Sequence, residues 1–181
     1  MKKFLKALAV FACAIALVAG SVAATLAYLT DTETVTNTFT VGNVSITLTD
    51  TSTDEYLSTD GSYKLVPGHI YGKTATISVV EGSEDCYLFV KLDNGLGEAA
   101  TFAVDTENWV AVPNETNVYA YKAIAKAKDT CVISAPFTLA SNADVEELAS
   151  ATISVTAYAV QADGFEDAED AWEKAESEFA A

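Results

Sequence analysis

The sequence is poor in the residues that most catalytic and metal sites require. It has one histidine, three cysteines and three prolines in 181 residues, and all ten of its basic residues are lysine. A zinc-protease helix needs a spaced pair of histidines, and a structural zinc site needs closely spaced cysteine pairs; neither occurs. A glycine-rich phosphate loop is also missing. We therefore predict a protein with no catalytic residues, no bound metal and no cofactor.

The single histidine, His69, lies in a turn that begins at Pro67-Gly68. Serine and aspartate are abundant, but a catalytic triad requires a specific mutual geometry that abundance does not supply. The acidic stretches at 50–60 and 163–167 lack the ligand spacing of an EF-hand loop. We therefore interpret His69 as a structural residue. For the acidic stretches, loose calcium binding stays an open alternative.

The first 27 residues predict a secretory signal peptide. Lysines at 2, 3 and 6 precede an apolar run at 7–18, and small residues follow. Thr25-Leu26-Ala27 fits a small-x-small cleavage site, which would leave Tyr28 as the new N-terminus; cleavage after Ala24 is the competing site. A retained anchor is the alternative, but the run is short of the roughly 20 apolar residues that a span needs. We expect a secreted protein without a permanent membrane anchor.

The net charge of the predicted mature chain limits the classes of partner that we expect. Removing residues 1–27 leaves seven lysines against 26 acids, a formal charge of −19. Nucleic acid and anionic lipid both require a basic surface, so neither is an expected partner. The acidity is typical of a soluble extracellular protein, and divalent cations that bridge acidic surfaces are the alternative explanation.

Two cysteines remain after the signal peptide, which contains Cys13. They are Cys86 and Cys131, and an even number in an exported chain permits one disulfide. Both lie in apolar, strand-like runs, so two buried free thiols are equally compatible with the sequence.

Alternation of apolar and polar residues predicts strands through most of the chain. It is clear at 44–48, 74–80 and 153–160, and 86–92 is apolar on both faces, as in a central strand. Shorter or less regular candidates lie at 101–104, 109–112, 117–127 and 130–139. Pro136 marks an edge or bulge within the last of these, because proline cannot donate to a sheet.

Helical periodicity is confined to the C-terminal third. A short helix is predicted at 142–148, and a longer one at 165–180 with a single apolar face formed by Phe165, Ala168, Trp172, Ala175 and Phe179. Strands separated by turn signals, with helices only late, favour an antiparallel β-sandwich at 43–181 with short peripheral helices.

Residues 28–42, between the signal peptide and the first sandwich strand, are mostly threonine, acids and spaced apolar residues. The apolar positions that would anchor it are Tyr28, Leu29, Val35, Phe39 and Val41. The intervening threonines have high β-propensity with little hydrophobicity. We interpret this segment as an extended, pairing-competent strand; a disordered polar leader is the alternative.

Four blocks of sequence resemble the TasA/camelysin family of exported bacterial proteins. They are AYLTDTE at 27–33 with NTFTVGNV at 37–44; LVPG at 65–68 with Lys73; GSEDCYLFVK at 82–91; and VTAYAVQADGF at 155–165 with Ala171-Trp172. Together they cover the predicted mature chain in order.

The resemblance implies a jelly-roll-like sandwich, processing by a SipW-type signal peptidase, and assembly into fibres of the extracellular biofilm matrix of a bacterium, most typically Gram-positive. In such fibres the N-terminal segment of one subunit completes a sheet of the next. The implied partners are further copies of the chain and minor fibre subunits.

Two other functions stay open. Camelysins have been assigned metalloprotease activity, but the single histidine of this chain does not supply the usual ligand pair. A monomeric cell-surface binding module on the same sandwich is the third hypothesis.

Overall fold

The structure is a computed structural model, and it describes residues 39–41 and 43–179, with the backbone alone at 39–41. These residues belong to one compact unit, Thr34–Ala181. The predicted signal peptide, its cleavage site at Ala27 and Tyr28, and the predicted anchors Leu29 and Val35 lie outside the described residues.

The described part of the chain forms eleven strands and one C-terminal α-helix, with a single 3-10 turn at Gly97–Ala99. The elements are β1 (Phe39–Val41), β2 (Ile46–Asp50), β3 (Ile70–Tyr71), β4 (Thr74–Val79), β5 (Cys86–Asn94), β6 (Ala100–Phe102), β7 (Trp109–Ala111), β8 (Val118–Tyr121), β9 (Thr130–Ser134), β10 (Phe137–Leu139), β11 (Ile153–Gln161) and α1 (Ala168–Phe179).

The strands form three sheets, ordered β1-β11-β5-β8-β7, β2-β4-β9 and β3-β10-β6. Every pair between these strands is antiparallel except β1 with β11, which is parallel. The predicted mainly-β class with a C-terminal helix is confirmed. The jelly-roll connectivity stays a prediction, with which this arrangement is compatible.

The main core lies between the five-stranded sheet and the β2-β4-β9 sheet. Ile46, Ile77 and Ile133 from the smaller sheet pack with Leu88, Val90 and Ala157 from the larger one. The opposite face of the larger sheet is also covered, because Phe89, Tyr158 and Val160 pack against α1. Consequently β5 and β11 are buried on both faces, which explains their nearly continuous apolar sequences.

Pro136 divides one predicted strand into two. The segment predicted at 130–139 becomes β9 and β10, which belong to different sheets. Pro136 has no N–H, but its carbonyl accepts a bond from the Ala103 amide, 2.8 Å away. The chain therefore passes from one sheet to the other at a residue that has no N–H to donate to a neighbouring strand.

The predicted strand at 117–127 is shorter in the structure, ending at Tyr121. After a bend at 122–123, Ala125 pairs once more with Cys86, with backbone hydrogen bonds of 2.8 Å in both directions. A turn then ends the segment: the Asp129 carboxylate accepts the Lys126 N–H at 2.8 Å, and Lys128 has a positive φ of 71°.

The predicted short helix at 142–148 is wrong. The segment forms consecutive turns whose backbone bonds span three residues, such as Ala143 to Ala140 and Ala151 to Leu148. Asp144 also accepts the Glu146 N–H at 3.0 Å, a local bond that competes with helix formation.

The C-terminal helix is confirmed, but it begins at Ala168 rather than 165. The carboxylate of Asp167 accepts the Asp170 N–H at 2.9 Å, which is the geometry of an N-cap three residues before its donor. The predicted apolar face packs on the sheet as expected. Within the described residues, no helix has the length and apolar character needed to cross a membrane.

Candidate assembly edge and the surrounding polar groups

The candidate assembly edge is the outer side of β11 in the five-stranded sheet. There β1 pairs in parallel over three residues, with Phe39 opposite Tyr158, Thr40 opposite Ala159 and Val41 opposite Val160. The structure thus brings two of the predicted anchor positions, Phe39 and Val41, to this edge.

The two sides of β11 are paired to very different extents. All nine of its residues pair with β5, from Ile153 opposite Asn94 to Gln161 opposite Cys86. On the outer side, no strand of the described residues pairs with 153–157. In the part of the chain that the structure describes, strand pairing on this outer side is therefore limited to 158–160.

Helix α1 lies against the same end of β11. The Trp172 ring is 5.7 Å from Tyr158 and 5.0 Å from Phe89, and Phe179 is 4.6 Å from Tyr158, measured between ring centroids. The backbone of α1 also approaches β1. The outer side of β11 is consequently bordered by aromatic side chains of α1 as well as by β1.

The chain is fixed immediately after Gly42. Asn43 N–H donates to the Gln161 side chain at 3.4 Å, and the Asn43 carbonyl accepts the Glu84 N–H at 3.1 Å. Ser45 N–H then donates to the Ser83 hydroxyl at 3.0 Å. These bonds hold the entry to β2 independently of β1.

His69 lies in a second polar cluster, far in sequence from β11. Its Nε2 is 3.3 Å from the nearer carboxylate oxygen of Asp54, and its ring packs edge-on between Tyr56 and Tyr71 at 4.6 Å from each. Among the described residues, Asp54 is the only hydrogen-bond partner of the His69 side chain. The pair lacks the nucleophile that a triad needs.

Asp54 connects the 51–56 loop to β3 and β4. Although its burial alone would raise its pKa, the N–H groups of Tyr56 and Gly72, at 2.9 and 3.0 Å, and the His69 ring together hold the pKa of this carboxyl below its ordinary value. An added Cβ at Gly72 would lie 2.6 Å from the Thr53 carbonyl oxygen, so only glycine allows this close approach.

A partly buried ion pair completes this cluster. The Lys73 ammonium, in a side chain only 10% exposed, binds the Asp50 carboxylate. Burial would raise the pKa of Asp50, but the hydrogen bonds from Lys73 and Ser52 outweigh it and lower the pKa. The hydrogen-bond donors and acceptors of this cluster satisfy one another, so a structural role explains its polar residues.

The two cysteines are free thiols in the structure, and both are buried in the main core. Burial, together with the nearby Cys131, raises the pKa of Cys86 to about 12. Burial also raises the pKa of Cys131, against the opposing hydrogen bond with Tyr121. Both are therefore protonated and weakly nucleophilic at neutral pH.

Within residues 43–179, no three side chains of histidine, cysteine, aspartate or glutamate are grouped closely enough to hold a metal ion. The feature of the described residues that bears on the predicted assembly is the outer side of β11, where β1 pairs.

The sequence predicted the strand that reaches this edge but not the strand that it pairs with. The alternation at 153–160 predicted a half-buried strand, whereas residues on both of its faces are buried, among them Tyr158 and Val160. The signal was present: apolar residues on both faces of β11 are followed directly by an amphipathic helix that needs a surface to cover.

Comparisons of this chain with family models, curated proteins and solved structures find no match. The resemblance to the TasA/camelysin family therefore stays a prediction that rests on the sequence blocks themselves.

Proposed function

We propose that this protein is a secreted structural subunit that assembles into extracellular fibres, with residues 28–42 of one copy pairing with the β11 edge of the next. The observation that carries the proposal is the parallel pairing of Phe39–Val41, the end of this segment, with the outer side of β11, on a strand that runs over nine residues.

The register of β1 supports a longer donated strand. Phe39 lies opposite Tyr158, so a strand that continued in this register would place 34–38 opposite 153–157. Such a strand would add backbone hydrogen bonds over eight residues instead of three. The threonine-rich sequence before Phe39 has the β-propensity that this pairing needs.

The bonds at Asn43 and Ser45 support Gly42 as the point where a donated strand would separate from its own domain. Because β2 is held from residue 43 onward, residues before Gly42 can leave β11 without disturbing the core. These bonds support the predicted boundary between the donated segment and the retained domain near Gly42.

The geometry of donation determines the shape of the assembly. The donor lies at the N-terminus and the acceptor is a different surface, so the contact is heterologous and need not close into a ring. Contacts of this type propagate as a filament. The excess of acid predicts that raised salt or lowered pH favours assembly, because both weaken repulsion between subunits.

Electron microscopy of the purified chain 28–181, which contains every described residue, tests the proposal. The comparison is the same chain without residues 28–41. We expect filaments from the first and monomers from the second. Monomers from both, at high concentration and over a range of salt and pH, would overturn self-assembly for the isolated protein.

The protease hypothesis has its own test. If the His69–Asp54 pair had a catalytic role, His69→Ala would abolish peptide hydrolysis while leaving filaments intact. We expect no activity to be lost, because that pair forms bonds within a satisfied structural cluster.

A further inference from the structure

The two tryptophans of the described chain differ in whether the indole N–H has a hydrogen-bond partner. The Trp109 indole N–H donates to the Val132 carbonyl at 2.9 Å. Trp172 is only 4% exposed, yet its indole N–H has no hydrogen-bond partner among the described residues. Most buried donors are satisfied, so each exception requires an explanation.

The position of Trp172 suggests which group satisfies it. Its ring packs against Tyr158, the residue opposite Phe39 in register, and α1 approaches both β1 and β11. The Trp172 ring thus lies over Phe89 and Tyr158, on the sheet face that α1 covers, and its helix also approaches the strand that pairs at the edge. An extended strand is rich in acceptors, since every residue carries a backbone carbonyl and the predicted donor segment adds alternate threonine hydroxyls.

We infer that α1 forms the second wall of the strand-binding groove, and that the Trp172 indole N–H donates to an acceptor within residues 28–38 of a second copy, because Phe39–Val41 already pair with β11 and leave this donor unpartnered. This inference rests on the proposed function, because it names the donated strand as the occupant. Backbone pairing with β11 supplies length-dependent affinity, and a single buried donor fixes where along the groove the strand stops. Trp172 is therefore a positioning residue for assembly.

The matched variants are Trp172→Phe and Trp109→Phe in the chain 28–181. Both keep an aromatic ring and remove one indole N–H, but only the first removes the donor at the groove. Loss of one hydrogen bond predicts an increase of about two- to tenfold in the protein concentration needed for half-assembly of Trp172→Phe. Trp109→Phe is expected to change thermal stability and leave the concentration needed for half-assembly unchanged.

A second measurement needs no variant to fold. In the ¹⁵N-labelled chain 28–181, a synthetic peptide of residues 28–41 is added and the two indole N–H resonances are followed, with a scrambled peptide as control. We expect the Trp172 resonance to shift and its hydrogen exchange to slow, while the Trp109 resonance stays in place.

The outcomes separate the two claims. Filaments and peptide binding with an unchanged Trp172 resonance, or with wild-type assembly of Trp172→Phe, would overturn this inference and leave the proposed function standing. Neither filaments nor peptide binding would overturn both, because the groove would then have no strand to hold.

Discussion

In the described residues, the two sides of β11 pair with strands of different length. This comparison separates the pairing that stabilises the domain from the pairing that we propose is used for assembly. On one side, nine residues pair antiparallel with β5 in the middle of the sheet. On the other, three residues of β1 pair in parallel, and parallel pairs are slightly less stable per residue. One side belongs to the core of the domain, whereas the other is the side at which we propose that strands are exchanged between copies.

The largest expected effect comes from breaking the β5 side. Phe89 lies opposite Tyr158, is fully buried and packs on Trp172. Phe89→Ala should lower the free energy of unfolding by about 3–5 kcal/mol, because it removes a large buried ring and leaves a cavity. Urea unfolding followed by circular dichroism measures this. The half-exposed Val110 is the control, and Val110→Ala should cost under about 1 kcal/mol.

A smaller effect is expected where the β5 and β11 segments meet at their ends. Gly95 N–H donates to the Thr152 carbonyl at 2.9 Å, and an added Cβ would lie 2.3 Å from that oxygen. Gly95→Ala should therefore cost about 1–3 kcal/mol by forcing the two segments apart.

The comparison variant is Gly82→Ala, where an added Cβ meets nothing within 4 Å and the positive φ of 89° is the only penalty. Thermal melts of both variants should rank Gly95→Ala as the more damaging. Equal melting temperatures would show that the Gly95 approach carries no special constraint.

The Asp50–Lys73 pair provides a perturbation that belongs to neither of the two strand pairings of β11. The pKa of Asp50 is lower in the folded state than its ordinary value of 3.8. The stability it contributes is therefore present above that value and is lost as the pH falls through the lower, folded pKa. Asp50→Asn should cost about 0.5–1.5 kcal/mol at pH 7, because it leaves the Lys73 ammonium poorly compensated while solvent screens the Asp50 side, whose side chain is 56% exposed. It should also flatten the loss of stability below about pH 4.

Urea titrations at pH 7 and pH 3 test this prediction, with the exposed Glu147→Gln as control. Because this pair is remote in sequence from β11, filament formation by Asp50→Asn at pH 7 should match the parent chain under conditions where both are folded. A selective loss of filaments would contradict the separation between core and edge.

The smallest effect on folding is expected at β1. Successive N–H groups of a strand point to opposite edges, so only one of Thr40 and Val41 directs its N–H at β11. Of Thr40→Pro and Val41→Pro, one should lower the stability of the monomer by about 1 kcal/mol or less and abolish filaments, and the other should be the milder change. Unfolding experiments and electron microscopy on both variants measure the two effects separately.

How much could be predicted from the sequence depended on whether the determining interaction was local. Apolar alternation predicted β2, β4 and β11, and Pro67-Gly68 predicted the turn in which Gly68 has a φ of 82°. Local competition was harder to predict: the Asp144 side chain favours turns over a helix, and the Asp167 cap moves the start of α1.

The acceptor edge could not be predicted because its register is a long-range property. Nothing local to β11 indicates that Phe39 lies opposite Tyr158, or that a helix would cover the same face. Phe39 and Val41 were predictable as strand anchors because their spacing is local. The groove they approach depends on residues more than a hundred positions later.

That separation along the chain has a consequence for export. A chain that crosses a membrane from its N-terminus delivers residues 28–42 first, and β11 and α1 among the last. In the proposed assembly, this strand would be exposed before the β11 edge of its own chain exists, while the β11 edges of finished subunits outside would already be complete. Vectorial secretion would therefore favour capture of each emerging strand by an existing fibre end over closure onto its own sheet, and growth would be coupled to the rate of export.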